Sequence, residues 1–210
     1  MAQLSIQFFT GRPTPVIARD LLGKRLVYDT GQAKLAGLIV ETEAYCGVND
    51  VASHAYGERH TAYTASLFKS PGTWYLYQIR GWICCDIVTQ ETGEPQSVLL
   101  RAIQPLQGVA TMANHRHRQG VAMTNGPAKL VQALGIQDRK LDGASLLRAP
   151  LTIDDFQARQ PETIACSQRI GTTPQGPHAD EQWRFFVDGN PYVSGMRKRQ
   201  VNQQTLGWRR

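Results

Sequence analysis

Residues 35–47 read LAGLIVETEAYCG, an apolar run broken by two glutamates one residue apart. The run from Leu35 to Tyr45 predicts one long strand, joined to a strand around Arg25–Tyr28 by a turn at Asp29-Thr30-Gly31. Side chains alternate between the faces of a strand, so Ile39, Glu41, Glu43 and Tyr45 are expected on one face. Val40, Thr42 and Ala44 are expected on the other. Two carboxylates and a phenol on one face can serve chemistry; a structural ion pair on a half-exposed strand is the plainer reading of the same residues.

Working outward, RPTPVIARDLLG (12–23) predicts a helix capped by Thr14, with Pro15 in its first turn and Gly23 as its stop. The polar stretch after Tyr45 predicts an ordered loop, followed by a short helix near Ala65–Lys69. TWYLYQIRGWICCDIVTQ (73–90) predicts two strands about a turn at Arg80-Gly81, and SVLLRAIQP (97–105) a third strand ended by Pro105. NGPAKLVQALGI (125–136) predicts a short helix with Asn125 as cap, Pro127 in the first turn and Gly135 at the stop. Among the short strands after Leu151, WRFFVDG (183–189) is the best defined. Strands and helices do not alternate regularly, which argues against a doubly wound parallel sheet and for an α+β fold around a largely antiparallel one.

The 210 residues suit one domain with a full core. Hydrophobic residues make up 41% and charged residues 19%, a globular composition without a disordered block. Lysine and arginine number 23 against 17 acids, a net charge of +6 that favours a polyanionic partner such as nucleic acid. The four cysteines form no C-x-x-C pair, and vicinal Cys84 and Cys85 diverge on a strand; they read as reduced thiols. None of the five histidines has H-x-x-x-H spacing, so no metal is expected. The start of the chain does not read as a secretory signal, and no apolar run reaches the roughly 18 residues of a membrane span. A cytoplasmic location is the expectation.

Four patches could carry chemistry: Glu41 with Glu43 and Tyr45, Asp50 with His54, Tyr75 with Tyr77, and Arg101. Arg101 interrupts an apolar strand, where an unpaired charge is costly, so an acidic partner is expected for it. A carboxylate held by an arginine can stay ionised and deprotonate a water. Tyrosines and a histidine together can line a slot for a flat ring.

In combination, IARDLLGKRLV, GLIVETEAYCGVNDVASHA, SPGTWYLY, VLLRAIQPLQG, NGPAKLVQALGI and WRFFVDGNPYVSG follow one another in an order that resembles the 3-methyladenine (alkyladenine) DNA glycosylase family, the class without a helix-hairpin-helix. The resemblance runs from Gln7 to Gly195. It implies a curved, largely antiparallel sheet with peripheral helices and a protruding DNA-facing hairpin, similar to the C-terminal domain of formyltransferases. It also implies a monomeric, monofunctional enzyme without cofactor or metal. Such an enzyme flips alkylated or deaminated purines, of the 3-methyladenine, 7-methylguanine and hypoxanthine type, out of DNA and hydrolyses the N-glycosidic bond. By the resemblance Glu43 activates water, Arg101 positions it, and Tyr45, His54 and Tyr77 form the base pocket. A backbone carbonyl near Ile170–Thr172 completes the water site.

The DNA-facing positions depart from the family pattern. Arg80 stands where a wedging tyrosine is usual, Asp86 where an asparagine discriminates against guanine, and Tyr63 in a loop that usually carries an arginine. Arg116 and Arg118 in NHRHRQG, and a basic, flexible tail over 196–210, are candidate phosphate contacts. These departures leave open a damaged-DNA-binding homologue with altered excision, and preference for duplex or single strand. A hydrolase of free nucleosides is a third reading.

Overall fold

The computed structural model describes residues 3–172 and 175–210. Its eight strands are β1 (Arg25–Asp29), β2 (Lys34–Tyr45), β3 (Trp74–Ile79), β4 (Trp82–Thr89), β5 (Gln96–Gln107), β6 (Leu151–Asp154), β7 (Ile164–Ser167) and β8 (Arg184–Val187). The helices are α1 (Thr14–Asp20), α2 (Val109–Arg116) and α3 (Pro127–Ala133). The fold is α+β, as expected, and every strand pair is antiparallel.

β2 is the hub. One edge pairs along its length with β5, which continues through β4 to β3. The other edge is divided: Lys34–Leu38 pair with β1, which leads to β6, whereas Glu41–Glu43 pair with β8, which leads to β7. Every residue from Leu35 to Ala44 is buried, because both faces of the strand are covered. α1 lies on one face, where the Thr42 hydroxyl donates to the Ala18 carbonyl at 2.8 Å. A main core gathers Ile17, Leu21, Leu38, Trp74, Leu130 and Trp208, while a smaller cluster around Leu67, Tyr75, Tyr77 and Leu99 backs the site described below.

Several local expectations are corrected. Register shifts between Ile39 and Thr42 interrupt strict alternation, and Ile39 joins Val40 and Ala44 in the main core instead of leading the polar face. Pro105 does not end β5, which runs on to Gln107 past another register shift, where a residue without an N–H is tolerated. Gly37 opposes Pro105; a Cβ there would come within 2.7 Å of the Gln104 carbonyl oxygen. Thr14 is the first helical residue rather than the cap, and its hydroxyl ties α1 to the sheet through Thr89 and Gln96. Asn125 is bridged to Ala102, so Gly126 takes the cap position of α3. The 196–210 tail is not loose: Trp208 is fully buried, and its indole N–H donates to Gln104 at 2.8 Å. Apolar burial outweighs the tail's charge there.

Candidate active site

Cross-strand register assembles the site. Glu43 on β2 lies opposite Leu99 on β5, Leu99 opposite Asp86 on β4, and Asp86 opposite Tyr75 on β3. Residues two positions away share that face, which adds Tyr45, Ser97, Arg101, Cys84 and Tyr77. Apart from Glu43, these residues enclose a cavity of about 630 Å³ together with residues 51–54 and Tyr56 of the loop after β2, the first turn of α3 and residues 170–172. Tyr45, His54, Tyr77, Asp86 and Arg101, all expected from sequence, line it. Asp50 and His54 do not act as a pair: the His54 imidazole Nδ1 shares a 2.8 Å hydrogen bond with the Tyr75 hydroxyl, and its ring meets Tyr77 edge-on at 4.7 Å. Burial, with a smaller push from the Arg59 charge, lowers the His54 pKa and keeps the ring neutral at pH 7.

Glu43 is fully buried and meets the cavity through three of its neighbours. The Ile170 amide donates to Oε1 at 2.8 Å, while the Tyr45 hydroxyl (2.9 Å) and Arg101 Nη1 (3.2 Å) donate to Oε2. An ionised carboxylate offers about four acceptor positions. Three are taken, which leaves one. Burial raises the Glu43 pKa; Arg101, the Ile170 amide and the Tyr45 hydroxyl pull it back in part. The outcome is a stronger base than a surface glutamate. Burial and the Glu43 charge together drive the Tyr45 phenol well above its ordinary value, so it stays a donor.

Glu41 has a different task. Arg101 Nε (3.0 Å) and Arg184 Nε (2.7 Å) both donate to its Oε1, and the Ser194 amide to Oε2 at 2.7 Å. It anchors the arginine that touches Glu43. Arg184 escaped sequence reasoning although it interrupts WRFFV as Arg101 interrupts VLLRAI, the same signal. Arg169 was also missed. It grips Asp50 through its two terminal nitrogens, Nη1 at 2.6 Å and Nη2 at 2.8 Å, and donates to the Ala44 and His178 carbonyls. Its guanidinium lies 4.9 Å from the Tyr45 ring centre. This buried pair holds the neighbouring Ile170 amide on Glu43.

At the far end of the same face, Arg80 and Gly81 form a two-residue hairpin turn with φ of 50° and 85°. A non-glycine residue at positive φ is strained, and such strain gathers at functional positions. Ile79 and Trp82, opposite each other beside the turn, reach the cavity mouth and are 47% and 55% exposed. The Tyr63 hydroxyl braces this hairpin by accepting from the Gln78 amide (2.6 Å) and donating to the Gln78 carbonyl (2.9 Å). Arg116 lies elsewhere, tying α2 to the Met123 carbonyl and Gln132, and Arg118 is exposed beside it. Neither lines the cavity.

Residues 7–191 match the methylpurine-DNA glycosylase family. This chain belongs to that family. A methylpurine-DNA glycosylase is a hydrolase of N-glycosyl bonds, and relatives agree along nearly their whole length. A protein of Latilactobacillus sakei named "Putative 3-methyladenine DNA glycosylase" is 48% identical over 96% of this chain and 95% of its own length. Proteins of the same name from Lactobacillus delbrueckii subsp. bulgaricus and Enterococcus faecalis are 46% and 40% identical, over 91% and 98% of this chain and 93% and 90% of theirs.

Proposed function

We propose that the enzyme acts on damaged double-stranded DNA as a monomer in the cytoplasm, flipping alkylated or deaminated purines into the cavity and releasing them with a water activated by Glu43. The observation that carries this reading is the single free acceptor position on Glu43, beside cavity walls made of Tyr45, Arg101 and Ile170. Extrusion is needed because the duplex hides the glycosidic carbon, at a cost of about a few kcal/mol. Tyr45, His54 and Tyr77 give a flat ring aromatic surfaces, which attract the positive charge of an N-alkylated purine. As the C1′–N bond breaks, the base leaves with the electron pair and the sugar becomes oxocarbenium-like. The water oxygen bonds C1′ and its proton passes to Glu43, leaving an abasic site. Arg101 orients that water, and the strained hairpin enters the duplex, with Arg80 in the vacated space and Ile79 and Trp82 against the flanking bases. Tyr63 supports the hairpin from behind, and Arg118, with Arg116 at its base, is offered to phosphate.

Duplexes carrying 3-methyladenine, 7-methylguanine or hypoxanthine test this under single turnover. The wild type is expected to leave abasic sites, and Glu43→Gln to lose about 100-fold or more in rate while still binding. Binding without base release across all three substrates overturns it.

A further inference from the structure

β3 ends its side of the sheet, so one of its edges has no neighbouring strand among the described residues. The backbone groups along that edge are nevertheless paired as far as Gln78, just short of the Arg80-Gly81 turn. At Trp74 backbone does this: the Trp74 amide donates to the Ala144 carbonyl and the Gly143 amide to the Trp74 carbonyl, both at 2.8 Å. Further out, side chains take over. The Leu76 amide donates to Asp142 Oδ1 at 3.0 Å, and Arg139 Nε donates to the Leu76 carbonyl at 2.7 Å. Beyond them the Tyr63 hydroxyl holds both backbone groups of Gln78.

Asp142, Arg139 and Tyr63 form one unit. Arg139 Nη2 donates to Asp142 Oδ2 at 2.8 Å and to the Tyr63 carbonyl at 3.4 Å, and its guanidinium lies 4.4 Å from the centre of the Tyr63 ring. A two-stranded hairpin is marginally stable alone, and an open edge lets it fray or pair elsewhere. Here side chains from outside the sheet stand in for a further strand and leave the tip uncovered.

We infer that Arg139 and Asp142 are positioning residues for the opening of duplex DNA: with Tyr63 they hold the projecting part of the β3–β4 hairpin rigid, so that Ile79, Arg80 and Trp82 enter the base stack already in place. The inference rests on the proposed glycosylase reading and deepens it, by naming what stiffens the element that extrudes the base. Neither Arg139 nor Asp142 lines the cavity, and neither needs to touch the reacting atoms. A flexible tip would have to be ordered at the moment of insertion, which weakens binding; a clamped one would not. Tyr75 and Tyr77 alternate with the clamped residues and line the cavity, so the same bonds fix the tip relative to the pocket. The consequence is selective. The clamp matters where a stacked pair must be forced open, and not where the base is already unpaired.

The experiment measures single-turnover excision, at subsaturating enzyme, of whichever of 3-methyladenine, 7-methylguanine and hypoxanthine wild type releases fastest. The lesion is placed in two DNAs of one sequence, paired in a continuous duplex or inside a short unpaired bubble. Wild type is compared with Asp142→Ala and with Arg139→Lys, which keeps the charge but loses the planar fork and its stack. The Arg139 and Asp142 side chains are 29% and 17% exposed, so neither variant empties a core position. Both variants are expected to lose about tenfold on the paired lesion, the scale of one hydrogen bond to a charged group, and to match wild type on the bubble. Asp142→Ala removes a negative charge, so an effect of charge alone would run the other way. A fall shared by both DNAs, or no fall on the paired lesion, in either variant overturns the inference. So does a wild type that releases the paired base but not the one in the bubble. Amide exchange in the free wild type needs no variant: Leu76 and Gln78 should be protected, and exchange at the rate of an open chain overturns the clamp. Release of none of the three bases by wild type overturns the glycosylase reading itself, which the other outcomes leave intact.

Discussion

The pocket floor and the tip of the β3–β4 hairpin lie on one sheet face but are built by opposite rules. At the floor, both oxygens of Glu41 and both of Glu43 accept hydrogen bonds, and the four acceptor atoms are served by Arg101, Arg184, Tyr45 and two backbone amides. At the tip, Ile79 and Trp82 are about half exposed, and Arg80 sits at positive φ without an ion pair among the described residues. A floor that performs chemistry gains from charges already in place, because nothing has to reorganise as the reaction proceeds. A tip that docks keeps its contact surface unburied until DNA covers it.

Breaking the floor has the largest expected effect. Glu41→Ala leaves Arg101 and Arg184 buried without their shared partner and is expected to cost about 3–5 kcal/mol in urea unfolding. A loss below about 1 kcal/mol would mean that the cluster does not hold the floor together. Next comes pH. Glu43 must be ionised to accept a proton, and its pKa is raised, so excision should fall about tenfold per unit as pH drops below that raised value. A rate independent of pH between 4 and 7 breaks the link between Glu43 and proton transfer. At the tip, Trp82→Ala should weaken binding to a damaged duplex about tenfold by fluorescence anisotropy, since base–aromatic stacking is worth about 1–3 kcal/mol. Its melting temperature should not move, because the side chain is half exposed. The smallest effect is Arg80→Gly, which relieves the positive-φ strain and should stabilise the free protein by about 1 kcal/mol while weakening the duplex complex.

The strand from Leu35 to Tyr45 was legible because an apolar run with turn residues before it reports a strand whatever packs against it. Tyr45, Tyr77 and Arg101 were legible as polar or aromatic interruptions of such strands, whereas Asp86 stood out only through the family resemblance. Arg184 carried the same signal and was passed over in a shorter strand. Arg169 carried none: its pairing with Asp50 joins residues 119 positions apart across an irregular loop, and no periodicity reports such a contact. The register shifts that send Ile39 into the core depend on how β5 pairs with β2, which is tertiary information. The anchoring of the tail was not legible because its charges dominate its composition, whereas a single buried residue, Trp208, decides its place.

The two glutamates of ETEAY offer the most direct test of the central claim, that one anchors and the other reacts. Single-turnover excision of 3-methyladenine from a duplex should be measured for Glu41→Gln and Glu43→Gln, each beside its unfolding curve. The account predicts that Glu43→Gln stays folded, binds the duplex and loses about 100-fold or more in rate, whereas Glu41→Gln mainly loses stability. A Glu43→Gln enzyme that excises the base at close to the wild-type rate would contradict it.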